Sequence, residues 1–592
     1  MLIALKSMAN GKYVSALNGG GKALIANREA VDIWETFELV ALGNSRVALR
    51  AVCNNKYVCA ENKGALPLIV NRDRVGEWET FEKVGMGGNR FALKSMANGR
   101  FVCAENAGVS ALIANRTVAA EWETFESPFI PKLHGFKFSN SGFANDVIPE
   151  LEIRTNALCG GMAYAALDYY FANMPIPNQP FPPASQTILR QYLYGRQVKS
   201  IETNIDKWAE VKLGFGVRDT EFFNWGISAR IQELKQFLDQ GIPCVISLSV
   251  GDLGHQVVAY DYSMGRYKGD LGNYIEDFKI FVYDPNYPDQ VMTITADKNT
   301  QVFQRNDVYD PGNWRTYFVD SKYQKNPPFA IPSPAYPNDG LIYELILEFF
   351  TGGVYLHGGN KNVDLTVKLI DGTQQAYPNI NLGGRWVVGS RECAQVVLKK
   401  PVREDQLREL VITSGDNWEM LSVNVHKRGG GFYSIIKRGG SKLFTGSDNK
   451  FTVPIISNSL GLDLLVHVQG IGDMTFDADQ SAGSLGRQIE GFQINFNSSI
   501  PGLGMRYMAH LQGSGDSLWL TDGQYVGTRG QGRRVEGFAI KLTGTQAANH
   551  IVEYMANVQN IGDTQFYKNG EFCGTRGKGL AVQSMKVRVR HI

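Results

Sequence analysis

A chain of 592 residues is far too long for one hydrophobic core, and with 43% apolar against 20% charged residues it can fill several cores rather than remain disordered. Its 60 basic and 58 acidic side chains leave a formal charge of +2, which supplies no field to hold nucleic acid or an anionic membrane. Seven widely spaced cysteines without a CxxC pair suggest neither a disulfide framework nor a structural zinc site, and no metal or organic cofactor is expected.

The first residues, MLIALKSMANGKYV, carry charge early and lack the apolar centre of an export signal. No stretch reaches the ~20 apolar residues that span a bilayer, so no transmembrane segment is expected. The expectation is a protein without a signal peptide that stays in the cytoplasm or leaves it by a non-classical route. Glycine is abundant, at 64 residues, and with frequent NG, NN and GG dipeptides it predicts many short strands joined by tight turns.

The tetrapeptide WETF begins at Trp34, Trp78 and Trp122, a constant interval of 44 residues. Leu5, Leu49 and Leu93 keep this period, as do Tyr13, Tyr57 and Phe101, and Asn27, Asn71 and Asn115, so residues 1–127 are one unit copied three times. Alternating runs such as RVALRAV and KYVCAE, bounded by turn signals, predict about four strands per unit. Open units of that kind bury their apolar faces only against each other, which predicts a closed β-trefoil. The repeated Trp, Tyr and Phe are expected as core layers, and the repeated Asn as turn residues bonding to the backbone. The YV-x-A, L-x-ANR and W-E-x-F signatures resemble the fascin-like trefoil domains. That resemblance implies a binding module, for actin as in fascin or for glycans and other surfaces as in microbial relatives.

From Ser127 the repeat stops, and the connection SPFIPKLHG leads to TNALCGGMAYAALDYYF. Met162, Ala165, Ala166, Tyr169 and Tyr170 fall at helical spacing, so Cys159 stands at or beside a helix N-terminus, where unpaired N–H groups favour a thiolate. Further on, GIPCVISLSVGDLGHQVVAYDY reads as two strands flanking a loop, with His255 opening the second. The run KIFVYDPNYP ends a third strand at Asp284, with Tyr283, Asn286 and Tyr287 around it. Cysteine, histidine and carboxylate in that order supply the nucleophile, base and orienter of a cysteine hydrolase. Cys244, inside IPCVISL, is expected in the core, and ISARIQELKQFL from Ile227 to Leu238 reads as an amphipathic helix. An α+β architecture follows.

These motifs resemble the papain-like cysteine peptidases, in which GHxVV and a YDP or DPN turn follow the cysteine helix. The resemblance covers about residues 128–350 and implies Cys159 as nucleophile, His255 as general base and Asp284 as the residue that orients it. That family places an oxyanion-hole glutamine about six residues before the cysteine, where this chain has Ile153. Asn156 or Arg154, with the Cys159 N–H, are the candidate donors in its place.

Residues 351–456 alternate in runs such as DLTVKLIDG and ELVITSGDNWEMLSVNV, which predicts an antiparallel β-sandwich with some likeness to lipoxygenase-type docking sandwiches. Asp364, Asp371 and Asp416 fit turn duty better than calcium. Residues 457–592 hold a second triplicate, VHVQGIGD, AHLQGSGD and ANVQNIGD, aligned through Gln469, Gln512 and Gln559, each followed by a glycine with Ser or Thr at Gly483, Gly527 and Gly574. This predicts a pseudo-threefold β-trefoil or β-prism. The units resemble the clostridial hydrophobic repeats that carry a tryptophan after the second glycine, where this chain has Asp473, Asp516 and Asp563. The resemblance implies attachment to a cell surface or glycan, and the Gln and Asp sets are either three sugar sites or hydrogen-bond layers that pin the fold.

The combined reading is a multidomain, mainly β protein: a papain-like cysteine peptidase acting on a protein or peptide, carried by glycan- or surface-binding modules, as in a secreted effector or toxin. The same trio also serves an acyltransferase or deamidase. The other alternative is a lectin-like or actin-binding protein around an inactive papain-like spacer.

Overall fold

The computed structural model of the chain describes residues 1–143, 145–148, 153–155, 157–306, 313–455 and 459–592. It is mainly β and divides into two compact units, Met1–Asn140 with Leu158–Phe181 and Gln191–Ser333, and Ser141–Ala157 with Pro182–Arg190 and Pro334–Ile592. No helix among the described residues is long and apolar enough to cross a membrane.

In the first unit the N-terminal repeats close on themselves. Equivalent pairs close each repeat at Ile3 with Phe37, Val47 with Phe81 and Phe91 with Phe125, and a second set joins successive repeats at Phe37 with Ala51, Phe81 with Ser95 and Phe125 with Ser7 of the first. A ring of backbone bonds repeats the symmetry: Leu24 N–H donates to the Leu68 carbonyl, Leu68 to Leu112 and Leu112 to Leu24, each at 2.8 Å. Phe37, Phe81 and Phe125 fill the centre with the Leu and Val of each repeat.

The tryptophans depart from the core role expected of them. Trp34 and Trp122 are 36% and 37% exposed. The cause is the following glutamate: Glu35, Glu79 and Glu123 turn inward and accept the N–H of Asp32, Gly76 and Ala120 at 3.0, 2.8 and 2.9 Å, which faces the neighbouring indole outward. Asn71 and Asn115 also differ from expectation. They lie on strands Ile69–Arg72 and Leu112–Arg116 and donate to Glu61 and Glu105 at 3.0 and 2.5 Å. The turns are served instead by Asn10, Asn54 and Asn98, whose side chains accept the N–H two residues on, each at 3.0 Å, and donate to Ala26, Val70 and Ala114 carbonyls.

The connection after the repeats carries a pH-sensitive joint. His134 is buried, accepts the Ile130 N–H at Nδ1 (2.9 Å) and donates from Nε2 to the Leu2 carbonyl (3.1 Å). Both nitrogens are thus used by the neutral ring, and burial pulls its pKa from 6.5 down to about 4. Because the unfolded chain takes up this proton first, the contribution is complete above about pH 6.5 and is lost as the pH falls toward 4. Lowering the pH from 7 to 5 should cost about 2 kcal/mol at this site. Urea midpoints of wild type and His134→Phe at both pH values measure it, since only the wild type carries this loss.

The rest of the first unit sets helices against a six-stranded antiparallel sheet, in the order Val302–Arg305, Met292–Asp297, Lys279–Tyr283, Leu253–Ser263, Cys244–Val250 and Thr316–Val319. Helix Cys159–Phe171 lies on the strands Leu253–Ser263 and Cys244–Val250. It is buried on every side from Cys159 to Tyr170, which is why its sequence is apolar all round instead of striped. Asp168 accepts from Arg196, Tyr192 and Tyr323, tying this helix to Ile188–Glu202 and to the chain that follows the sheet.

In the second unit two sheets share one core: Arg391–Val402, Ile342–Thr351, Trp418–Gly429 and Phe432–Gly439 on one side, and Gln374–Tyr377, Val363–Leu369, Leu407–Ser414 and Lys450–Pro454 on the other. Strand Ile342–Thr351 spans the expected boundary at residue 350 and pairs on both edges within the first sheet. Asp371 accepts from Thr373 in a turn, and the buried Asp416 accepts from His357 and Lys361.

The C-terminal triplicate forms three sheets that exchange short segments cyclically. Gly527 pairs with Gly491, Gly574 with Gly537 and Gly483 with Ser584, so each repeat adds an edge to another. These glycines have φ of +109°, +106° and +130°, and a Cβ on them would lie 2.4, 2.6 and 2.3 Å from the carbonyls of Glu490, Glu536 and Gln583.

Candidate active site

Cys159 is the first residue of its helix, after Leu158, which has no side-chain cap. The N–H groups of this end are taken up from outside: Asn140 Oδ1 accepts Leu158 N–H at 2.6 Å and Gln197 Oε1 accepts Gly161 N–H at 2.9 Å. The N–H groups of Gly160 and Gln256 lie on the sulfur side of Cys159 and favour its thiolate. The double glycine has a steric reason. A Cβ on Gly160 would lie 1.9 Å from Gln256 Oε1, and one on Gly161 would lie 2.1 Å from the Leu193 carbonyl.

His255, on strand Leu253–Ser263, reaches Asp284 through Nε2 at 2.7 Å and stands close enough to Cys159 for each to shift the other's titration. With Nε2 engaged, Nδ1 is the ring nitrogen left for the thiol. Asp284 follows strand Lys279–Tyr283, and its Oδ1 also accepts the Asn286 N–H at 2.9 Å. The structure thus brings together the three residues that the sequence orders. They are 7%, 5% and 0% exposed for Cys159, His255 and Asp284.

Burial at this depth opposes every charge, and the partners overcome it. Burial pushes the Cys159 thiol up, but the nearby His255 and the N–H groups of Gln256 and Gly160 hold it below its ordinary value. Burial pulls His255 down, yet Asp284 and Cys159 raise it to about 10. Burial pushes Asp284 up, and His255, Arg305 and the Asn286 N–H hold it below the usual carboxylate range. The arrangement favours a thiolate–imidazolium pair. No other cysteine shares it: Cys53, Cys59, Cys103, Cys244, Cys393 and Cys573 are all pushed up, by burial first.

Three residues here were not found from the sequence. Arg305 donates to Asp284 Oδ2 at 2.9 Å. Trp314 stacks on the His255 ring, with centroids 6.0 Å apart and planes at 20°. Asn140 caps the Leu158 N–H and donates to Asn286 Oδ1 at 3.2 Å, linking helix start and aspartate turn. An inward-facing arginine closing the apolar run VFQR was the one available signal. Of the proposed oxyanion donors, Asn156 lies outside the described residues, and Arg154 has its backbone on strand Ile153–Thr155.

The C-terminal candidates bond within the protein. Asp473 accepts from His467 Nδ1 at 2.6 Å and from Arg529 at 3.0 Å, and Asp516 repeats this with His510 at 2.6 Å and Arg576 at 3.0 Å. Asp563 is held by Asn557 at 2.7 Å. Gln469, Gln512 and Gln559 donate backbone N–H groups to Gln488, Arg534 and Ala581 at 3.0, 3.0 and 2.8 Å. These bonds pin strands together.

No curated protein matches the chain. Among solved structures it is similar to a designed 3-fold symmetric protein, ThreeFoil, at 19% identity over 21% of this chain and 96% of that one, with a TM-score of 0.20. It is also similar to 1,3Gal43A, an exo-β-1,3-galactanase from Clostridium thermocellum, at 12% identity over 22% of this chain and 30% of that one, with a TM-score of 0.20. The second and third units of the C-terminal triplicate, residues 510–544 and 557–590, match the family Clostridial hydrophobic W.

Proposed function

We propose that the protein is a papain-like cysteine peptidase whose catalytic domain, about residues 128–350, is carried by binding modules: a β-trefoil at 1–127, a β-sandwich at 351–456 and a pseudo-threefold β-trefoil or β-prism at 457–592. The observation that carries this reading is the His255–Asp284 bond beside Cys159 at its helix start, with the thiol lowered and the imidazole raised. The Cys159 thiolate attacks a peptide carbonyl carbon, and the oxygen takes the charge against the Cys159 N–H, which has no partner among the described residues. His255 gives its proton to the leaving amine as the C–N bond breaks, leaving an acyl-thioester. Water then attacks the thioester, His255 takes its proton, and the thiolate leaves with the carboxylic acid released. Asp284 keeps the imidazole turned toward the sulfur throughout.

The binding modules would bring this domain to a glycan-bearing or protein surface, or to actin. Their repeated faces suit such a role because several weak contacts on one chain act at high effective concentration.

The 7% exposure of Cys159 favours a second reading, an inactive papain-like spacer in a lectin-like or cytoskeleton-binding protein. Incubating wild type and Cys159→Ala with an unfolded protein substrate and counting new amino termini decides between them. Termini from the wild type alone support the peptidase. Ammonia release or capture of an added amine would move the reaction to a deamidase or acyltransferase, and no product of any kind leaves the spacer.

A further inference from the structure

The aspartate that holds His255 is itself held by a second cation. Arg305, the last residue of strand Val302–Arg305, donates from Nη1 to Asp284 Oδ2 at 2.9 Å, while His255 occupies Oδ1 at 2.7 Å. The Arg305 and Asp284 side chains are 2% and 0% exposed. The guanidinium lies 5.2 Å from the Tyr287 ring centroid, and Trp314 covers the imidazole. Titratable or charged groups converge from every element packed here: Cys159 from its helix, His255 and Arg305 from their strands, and Tyr283 and Tyr287 beside Asp284. The Tyr283 hydroxyl accepts the Phe136 N–H at 3.1 Å.

With the thiolate formed, the cluster among the described residues holds two negative charges, on Cys159 and Asp284, and two positive ones, on His255 and Arg305. An aspartate alone would stabilise the imidazolium but repel the thiolate, and the site would carry a net negative charge almost out of water, where an uncompensated ion is costly. We propose that Arg305 is a positioning residue that balances this charge, letting Asp284 orient His255 without disfavouring the Cys159 thiolate. The proposal rests on the cysteine chemistry above.

It has a signature that packing alone does not. Removing a positive charge makes every nearby proton harder to lose, so the pH at which the thiolate forms and the pH at which the imidazolium deprotonates both move upward. In the full chain, thiolate absorbance at 240 nm and iodoacetamide alkylation of Cys159 are followed against pH for wild type, Arg305→Met, Arg305→Gln and Arg305→Lys. Both midpoints should rise by about one unit or more in the neutral variants, a roughly tenfold slower alkylation on the acid limb, and return in Arg305→Lys. Neutral variants with unmoved midpoints overturn the proposal, whatever their amplitude. If neither neutral variant folds, folding of Arg305→Lys supports the charge, and its failure shows a purely structural residue. A wild type with no low-pH thiolate overturns the cysteine chemistry itself, a different result from unmoved midpoints.

Discussion

Replacing His255 with alanine is expected to slow alkylation of Cys159 at pH 6 by about 300-fold, because an ordinary thiol with a pKa near 8.5 is only about 0.3% ionised there. In the wild type burial pushes the thiol up, and the neighbouring imidazolium with the Gln256 and Gly160 N–H groups outweighs it. Without the ring, burial remains and pushes the thiol upward. The protein contains its own reference, since burial raises the other six cysteines, Cys59 and Cys103 to about 12. Peptide-mapped rates of iodoacetamide labelling separate Cys159 from them. A His255→Ala rate within tenfold of wild type would mean that the helix N-terminus, and not the imidazole, supplies the thiolate.

The second large effect is mechanical. Gly161→Ala would place a methyl 2.1 Å from the Leu193 carbonyl and 3.1 Å from the Gln197 N. Both are backbone atoms of helix Ile188–Glu202, so no side-chain rotation relieves the contact. Helix Cys159–Phe171 must move away, weakening the bond from Gly161 N–H to Gln197. Overpacking of this severity costs about 3 kcal/mol or more, which lowers the melting temperature by about 6–12 °C for a unit of this size. Gly195, on the facing helix with open space around it, is the control. Gly195→Ala should be neutral or raise the melting temperature, because alanine favours a helix over glycine by about 1 kcal/mol. Equal melting temperatures for the two variants would show that the helices do not approach each other at Gly161.

Much of the fold was legible because repetition is visible without geometry. A constant interval of 44 residues requires three equal units, and three open units have only each other to pack against. Cys159, His255 and Asp284 were legible for a different reason: each stands at the end of a recognisable helix or strand, where side chains leave the core. What stayed hidden depended on which of two neighbours turns inward. In WETF the apolar pattern favours Trp34 for the interior, but the Glu35 carboxylate takes that side because it satisfies the Asp32 N–H. Asn71 differs from Asn54 only in facing a glutamate across a hairpin instead of its own turn. Asn140 lies 18 residues before the amide it caps, and nothing local marks so distant a partner. Arg305 is the same case from the other side, a charge that meets a carboxylate two strands away.

The cyclic exchange at the C-terminus makes its three sheets mutually dependent. The chain enters beside where it leaves: Leu460 N–H donates to the Val589 carbonyl at 2.7 Å, and Val589 N–H to Ser459 Oγ at 3.0 Å. Topologically this is a necklace whose clasp happens to sit between the first and third beads. Opening it at another junction and bridging the old ends would preserve every cross-strand bond, whereas removing one bead would strand an unpaired segment on each neighbour. The ring therefore grows or shrinks only as a whole.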